Sequence, residues 1–125
     1  MPEALRLVSP VMYMRRTAKE DAEISGQKIS AGEKVIMWYG AANRDPDVFA
    51  DPDRMDIFRS NAGQHLAFGT GPHVCLGQRV ANMQLETAYT KILERFPNIQ
   101  WTGKHAHAPN NFVHAITELE VDLGL

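Results

Sequence analysis

The sequence predicts an α+β fold on three observations: short apolar segments bounded by glycine turns in the first third, a helical stripe over residues 81–96, and an irregular glycine- and proline-containing stretch between them. At 125 residues the chain suits a single domain, with enough length to bury a core. Hydrophobic residues make up 44% and charged residues 22%, with no internal repeat or low-complexity tract. That is the composition of an ordinary folded chain.

Glu3 to Val8 reads as a short helix, with Pro2 tolerated in its first turn and Ser9-Pro10 ending it. Val11, Met12, Tyr13 and Met14 have the β-branched and aromatic content of a strand. Ser25-Gly26 and Ala31-Gly32 are turn signals on either side of residues 27–30, and residues 34–39 form a second strand candidate. Together these make a small antiparallel sheet. Residues 43–63 are dense in Asp, Asn, Pro and Arg, with Phe49, Met55, Ile57 and Phe58 spaced irregularly, the pattern of an ordered loop. Gly69, Gly71 and Pro72 forbid a regular helix through residues 66–75. Ala81, Leu85, Ala88, Ile92 and Phe96 then recur at steps of three and four, the stripe of an amphipathic helix that ends at Pro97 and packs into a core. Residues 99–101 and 112–123 read as short terminal strands, and the polar segment between them places His105 and His107 in a solvated loop.

The charge balance narrows the function classes. A formal charge of -2 provides no basic field for a phosphate backbone, so nucleic acid is not an expected partner. The longest apolar stretch, residues 35–42, is far short of the roughly 20 residues of a membrane span. The first residues do not form a basic-then-apolar leader. The expectation is a soluble, cytoplasmic chain. His105, His107 and His114 have no acidic or thiolate partner at regular spacing, so zinc is not expected.

The single cysteine makes no internal disulfide, which leaves a reducing compartment or a thiol kept for its own chemistry. Cys75 is delivered by a glycine-rich loop to the start of the long helix. Unsatisfied N–H groups and the positive end of the dipole lie there, so a thiolate is stabilised and available to a metal. Gly69, Gly71 and Gly77 let the backbone pass close to a large flat object, with Phe68 packing against it. The plainer alternative is a buried small hydrophobe.

The pattern Phe68-x-x-Gly71-x-His73-x-Cys75-x-Gly77 resembles the haem-binding loop of the cytochrome P450 family, with His73 where arginine is commoner. Glu3-x-x-Arg6 resembles the family's helical acid–arginine pair, and Phe49-x-x-Pro52-x-Arg54 the meander element that supplies a second arginine. All three motifs stand in the family's order. The resemblance implies the C-terminal part of the P450 fold, most similar to soluble bacterial members, with haem b (iron protoporphyrin IX) as cofactor and Cys75 as catalytic thiolate and iron ligand. It implies that Arg16 and His73 meet the haem propionates, that Phe68, Gly69, Gly71 and Gly77 frame the ring, and that Glu3, Arg6 and Arg54 form a structural network. Residues three apart share a helix face, and the planar fork of Arg54 can join the same carboxylate.

In this family the thiolate donates electron density to iron and favours O–O cleavage. The implied activity is hydroxylation of a hydrophobic small molecule with dioxygen and electrons from a ferredoxin-type or reductase partner, which docks on the proximal face near Gln78 and Arg79. By the same resemblance Val11, Val113 and Ile116 line an apolar substrate space. The runs Ser9-Pro10-Val11 and Asn111-Phe112-Val113 are similar to bacterial members acting on terpenoids or sterols. The family's chain is several times longer, and no segment here resembles its distal helix with the acid–threonine pair. Residues 1–125 are therefore expected to be a C-terminal haem-binding fragment, not competent alone, that exposes apolar surface where a missing N-terminal part packs. A reading from another class stays open: a non-catalytic interaction or folding module that kept the motifs without haem.

Overall fold

The computed structural model describes residues 1–125. Helix α1 spans Pro2–Val8 and ends at Ser9, which is left-handed at φ 43° and returns its N–H to the Leu5 carbonyl at 3.0 Å. Pro10 then blocks any continuation.

Val11 and Met12 do not begin a strand of their own. Val11 forms an isolated bridge with Val113, while Met12 donates to the Phe112 carbonyl at 2.9 Å and accepts from the Tyr39 N–H at 3.0 Å. The first strand, β1, is displaced to Tyr13–Thr17 and pairs antiparallel with β4, Lys34–Trp38. Residues 11 and 12 are committed to two distant segments, which a local apolar pattern cannot show, and Arg15-Arg16-Thr17 disguises an exposed strand. Between these strands, β2 (Ala22–Ile24) and β3 (Gln27–Ile29) form a separate hairpin. Its central residues, Ser25 at φ 50° and Gly26 at φ 80°, give the turn hand that matches strand twist. The single expected sheet is thus two ribbons. Directly after β4 the chain enters a one-turn helix α2, Tyr39–Ala42, which takes Tyr39 out of the strand.

The long helix α3 spans Gln78–Arg95 and closes with the Phe96 N–H on the Ile92 carbonyl at 2.7 Å, just before Pro97. Its stripe was expected to pack into a core. Instead no residue of α3 is buried: Ala81 and Leu85 are half-buried, and Ile92 stays 40% exposed, so the chain covers that face only in part. Strands β5 (Gln100–His107) and β6 (Ile116–Asp122) form a terminal ribbon. His105 and His107 therefore belong to a strand, not to a loop. An irregularity between Trp101 and His105, with Gly103 at φ 92°, breaks the alternation that would have revealed it.

Only nine residues are buried: Leu5, Tyr39, Phe49, Ala62 and Ala67 with the polar Glu3, Arg6, Ser9 and Asn43. The interior lies where α1 meets residues 39–67.

Candidate functional site

The four buried polar residues form one network. Arg6 holds Glu3 with two parallel bonds, Nε to Oε2 and Nη2 to Oε1, both 2.8 Å. Its Nη1 donates to the carbonyls of Asn43 and Pro52, each at 2.7 Å, and its guanidinium lies 5.0 Å over the Phe49 ring. Every donor of a fully enclosed cation has to be matched in this way. The Arg6 guanidinium, the Asp56 N–H at 3.0 Å and Arg59 Nε at 3.1 Å hold the Glu3 carboxyl down to about 2, against the opposing effect of burial.

The second arginine on the Glu3 carboxylate is Arg59, and the expectation for Arg54 is corrected. Arg54 is exposed and contributes only its carbonyl, which accepts from Arg59 Nη2 at 3.1 Å and Arg6 Nη2 at 3.4 Å. A turn at Asp51, left-handed at φ 46°, with the Arg54 N–H on the Asp51 carbonyl, sends the Arg54 side chain outward. Five residues later the chain returns and places Arg59 on the carboxylate. Motif spacing alone does not choose between the two arginines.

Asn43 links this network to the cysteine loop. Its Nδ2 donates to Ser9 Oγ at 2.8 Å, and its Oδ1 accepts the Leu66 N–H at 2.6 Å. His65, next in line, accepts the Ala67 N–H on Nδ1 at 3.1 Å, with its ring against Phe68. Burial pushes the His65 pKa down, in keeping with a neutral, accepting imidazole. Gly69 and Gly71 are left-handed at φ 71° and 70°, a conformation that side chains resist. At Gly69 a Cβ would also stand 3.2 Å from the Tyr39 hydroxyl. A short 3-10 turn, Gly71–His73, brings the chain back so that the Cys75 N–H reaches the Phe68 carbonyl at 2.9 Å. The Gln78 N–H then bonds the Cys75 carbonyl at 3.2 Å and opens α3. The cysteine is thus pinned by its backbone on both sides, and its thiol is exposed and free.

Beside that thiol is a cavity of about 520 Å³ whose walls include Phe68, Gly69, His73 and Cys75 from the loop, Arg16 from β1, and Val11. Gly71 and Gly77 shape the loop without lining it; the Gly77 backbone runs beside the sulfur. Val113 stands behind Val11 across their bridge. Ile116 is not on the wall: as the first residue of β6, opposite His107, it is carried out to solvent by the terminal ribbon. Sequence reading missed Leu5, Met14 and Tyr39, which complete the apolar side. Leu5 carried a detectable signal, sitting one position before Arg6 on a different face of α1, while Tyr39 was disguised as strand. Chemically the cavity offers one soft sulfur donor, apolar walls and a cationic edge. Such a set can hold a metal-bearing apolar ligand that carries anionic substituents.

The cytochrome P450 family model matches residues 1–115. Linalool 8-monooxygenase of Pseudomonas putida is 44% identical over 121 residues, which cover 97% of this chain and 30% of that protein. Among solved structures, P450BioI in complex with an acyl carrier protein ligated to hexadec-9Z-enoic acid superposes with a TM-score of 0.92 at 41% identity, covering 96% of this chain and 31% of the other. CYP109E1 from Bacillus megaterium, in complex with testosterone, superposes with a TM-score of 0.93 at 34% identity, covering 99% and 35%. The chain belongs to the cytochrome P450 family, the haem proteins that include monooxygenases. It spans about a third of the length of the relatives it matches.

Proposed function

We propose that this chain is the thiolate-bearing, C-terminal part of a longer haem-dependent monooxygenase that hydroxylates a hydrophobic small molecule. The observation that carries this reading is the exposed Cys75 thiol on a 520 Å³ cavity, held by a loop that is itself tied through Asn43 to a buried ion network. In the holoprotein haem b supplies dioxygen activation and the oxidising power for C–H hydroxylation. Cys75 would hold its iron, Phe68 and the Gly69 backbone would pack against it, and Arg16 and His73 would take its carboxylates. Val11, with Leu5 and Met14, contributes apolar surface to the same space. Electrons come from a ferredoxin-type or reductase partner. The relatives' names, one acting on linalool and one complexed with testosterone, support a terpenoid- or sterol-like substrate. A single exposed, unpaired thiol suits a reducing compartment, which makes the cytoplasm the expected location.

Residues 1–125 do not make a competent oxygenase alone. The incompletely covered apolar face of α3 and the coverage of about a third of each relative support a further part that packs there. The test is spectroscopic. After addition of haemin, reduction and carbon monoxide, the chain is expected to show the strongly red-shifted Soret band of thiolate-ligated iron, and Cys75→Ser to lose it. A chain that stays colourless, or a band that survives Cys75→Ser, overturns the proposal and favours the non-catalytic module.

A further inference from the structure

A second cavity, of about 280 Å³, adjoins the first, and the wall between them is built from Arg16, Tyr39 and His73, which line both. All three are polar in otherwise apolar surroundings. Arg16 spends one donor on the neighbouring Arg15 carbonyl at 3.0 Å and makes no ion pair. His73 is exposed at the end of its turn. Tyr39 differs from both: its ring is buried, held by the bond from its N–H to the Met12 carbonyl, while its hydroxyl has no hydrogen-bond partner in the chain. No enclosed side-chain nitrogen or oxygen lacks a partner, so the Tyr39 hydroxyl opens onto the cavity. It lies beside Gly69, at 3.2 Å from where a Cβ would be.

A tyrosine whose ring is buried normally places its O–H where a partner can reach it. Here the ring is fixed by packing, and Arg16 and His73 line the same two cavities as this donor. A cluster of uncommitted donors on one wall is complementary to an anion. We infer that the Tyr39 hydroxyl donates a hydrogen bond to a carboxylate of the bound haem, as a third anchor beside Arg16 and His73. This rests on the haem reading above and deepens it. Tyr39 was not apparent as a site residue because it falls at the end of a strand-like apolar run, where an aromatic reads as core.

The assignment concerns a carboxylate, so the test compares haemin with haemin dimethyl ester, whose carboxyls are blocked, on the full chain and on Tyr39→Phe. The phenyl ring keeps the packing and removes only the donor. With haemin, Tyr39→Phe is expected to release the group about tenfold faster to a competing apoprotein, the size of one hydrogen bond to a charged partner, and to shift the iron midpoint potential. With the ester the two proteins should behave alike. Tyr39→Phe that affects both ligands equally, or neither, overturns the assignment while leaving haem binding intact. Absence of a thiolate-type spectrum in the unsubstituted chain overturns the haem reading and this inference with it.

Discussion

The region around α1 and the helix α3 are opposites in how they hold together. Around α1, four polar residues and one aromatic are nearly sealed from water, and Arg6 alone is matched to two carboxylate oxygens, three carbonyls and a ring. In α3 the apolar stripe is drawn clearly by the sequence, yet none of it is buried: Ala81, Leu85 and Phe96 are half-buried, and Ala88 and Ile92 are exposed. The comparison separates two ways of specifying a site. Directional bonds fix the meander and the cysteine loop from within the chain, whereas the helix behind the cysteine is enclosed by nothing comparable.

The sharpest way to break this comparison is at Arg6. Arg6→Met keeps the length and apolar stem but strands the Glu3 carboxylate, and removing one partner of a buried pair costs about 3–5 kcal/mol. The prediction is a loss of that size in urea denaturation, with Asn43 and the loop it ties at Leu66 loosened in hydrogen exchange. A cost below about 1 kcal/mol would show that the network contributes little to the fold.

Acid probes the same region without a substitution. The Glu3 carboxyl is lowered from 4.5 to about 2, so the stability it contributes is present above pH 4.5 and lost as pH falls toward 2. By linkage this amounts to up to about 3 kcal/mol. His65 is lowered from 6.5; its share is present above pH 6.5 and lost below it as the imidazole is forced to charge and gives up the Ala67 N–H. Two acid limbs are therefore expected in a plot of unfolding free energy against pH. Glu3→Gln should flatten the lower limb and His65→Asn the upper one; a single limb untouched by either change would refute both attributions.

A smaller effect separates the two arginines. Arg59→Ala removes the Glu3 contact and the bonds to the Asp51 and Arg54 carbonyls, and should cost about 2 kcal/mol, the order of one charge-assisted bond with its partner left partly unmatched. Arg54→Ala, at an exposed side chain, should stay within about 0.5 kcal/mol. Thermal melts that rank the two the other way would restore Arg54 to the network.

How far this architecture was legible in the sequence follows from the range of each interaction. The Glu3/Arg6 pair is local, three residues apart on one helix, and so is the cysteine loop, whose glycines mark the positive-φ positions directly. The extent of α3 could be read from its period. What could not be read is long-range: Arg59 displacing Arg54, Asn43 joining Ser9 to Leu66, Val11 bridging to Val113, and Tyr39 leaving its strand to stand in a cavity wall. Each depends on where a turn sends the chain, and no residue pattern within ten positions encodes that. The burial of α3 failed for a different reason: a stripe shows that a helix wants cover, not that the cover is in the same 125 residues.

That last distinction can be measured by changing the same side chain in two contexts. In residues 1–125, Ile92→Ala trims a side chain that is 40% exposed, and the better helix propensity of alanine offsets part of the loss, so the cost should be within about 0.5 kcal/mol. In a longer protein whose additional part packs on α3, the same substitution opens a cavity and should cost about 2–5 kcal/mol. Phe49→Ala is the reference: its ring is 1% exposed, enclosed within this chain, and should cost about 3–5 kcal/mol in both contexts. Denaturant titrations of the four variants give a two-by-two comparison. If Ile92→Ala costs the same in both proteins, α3 gains no cover from a further part, and its apolar face has to be explained by something other than a missing partner.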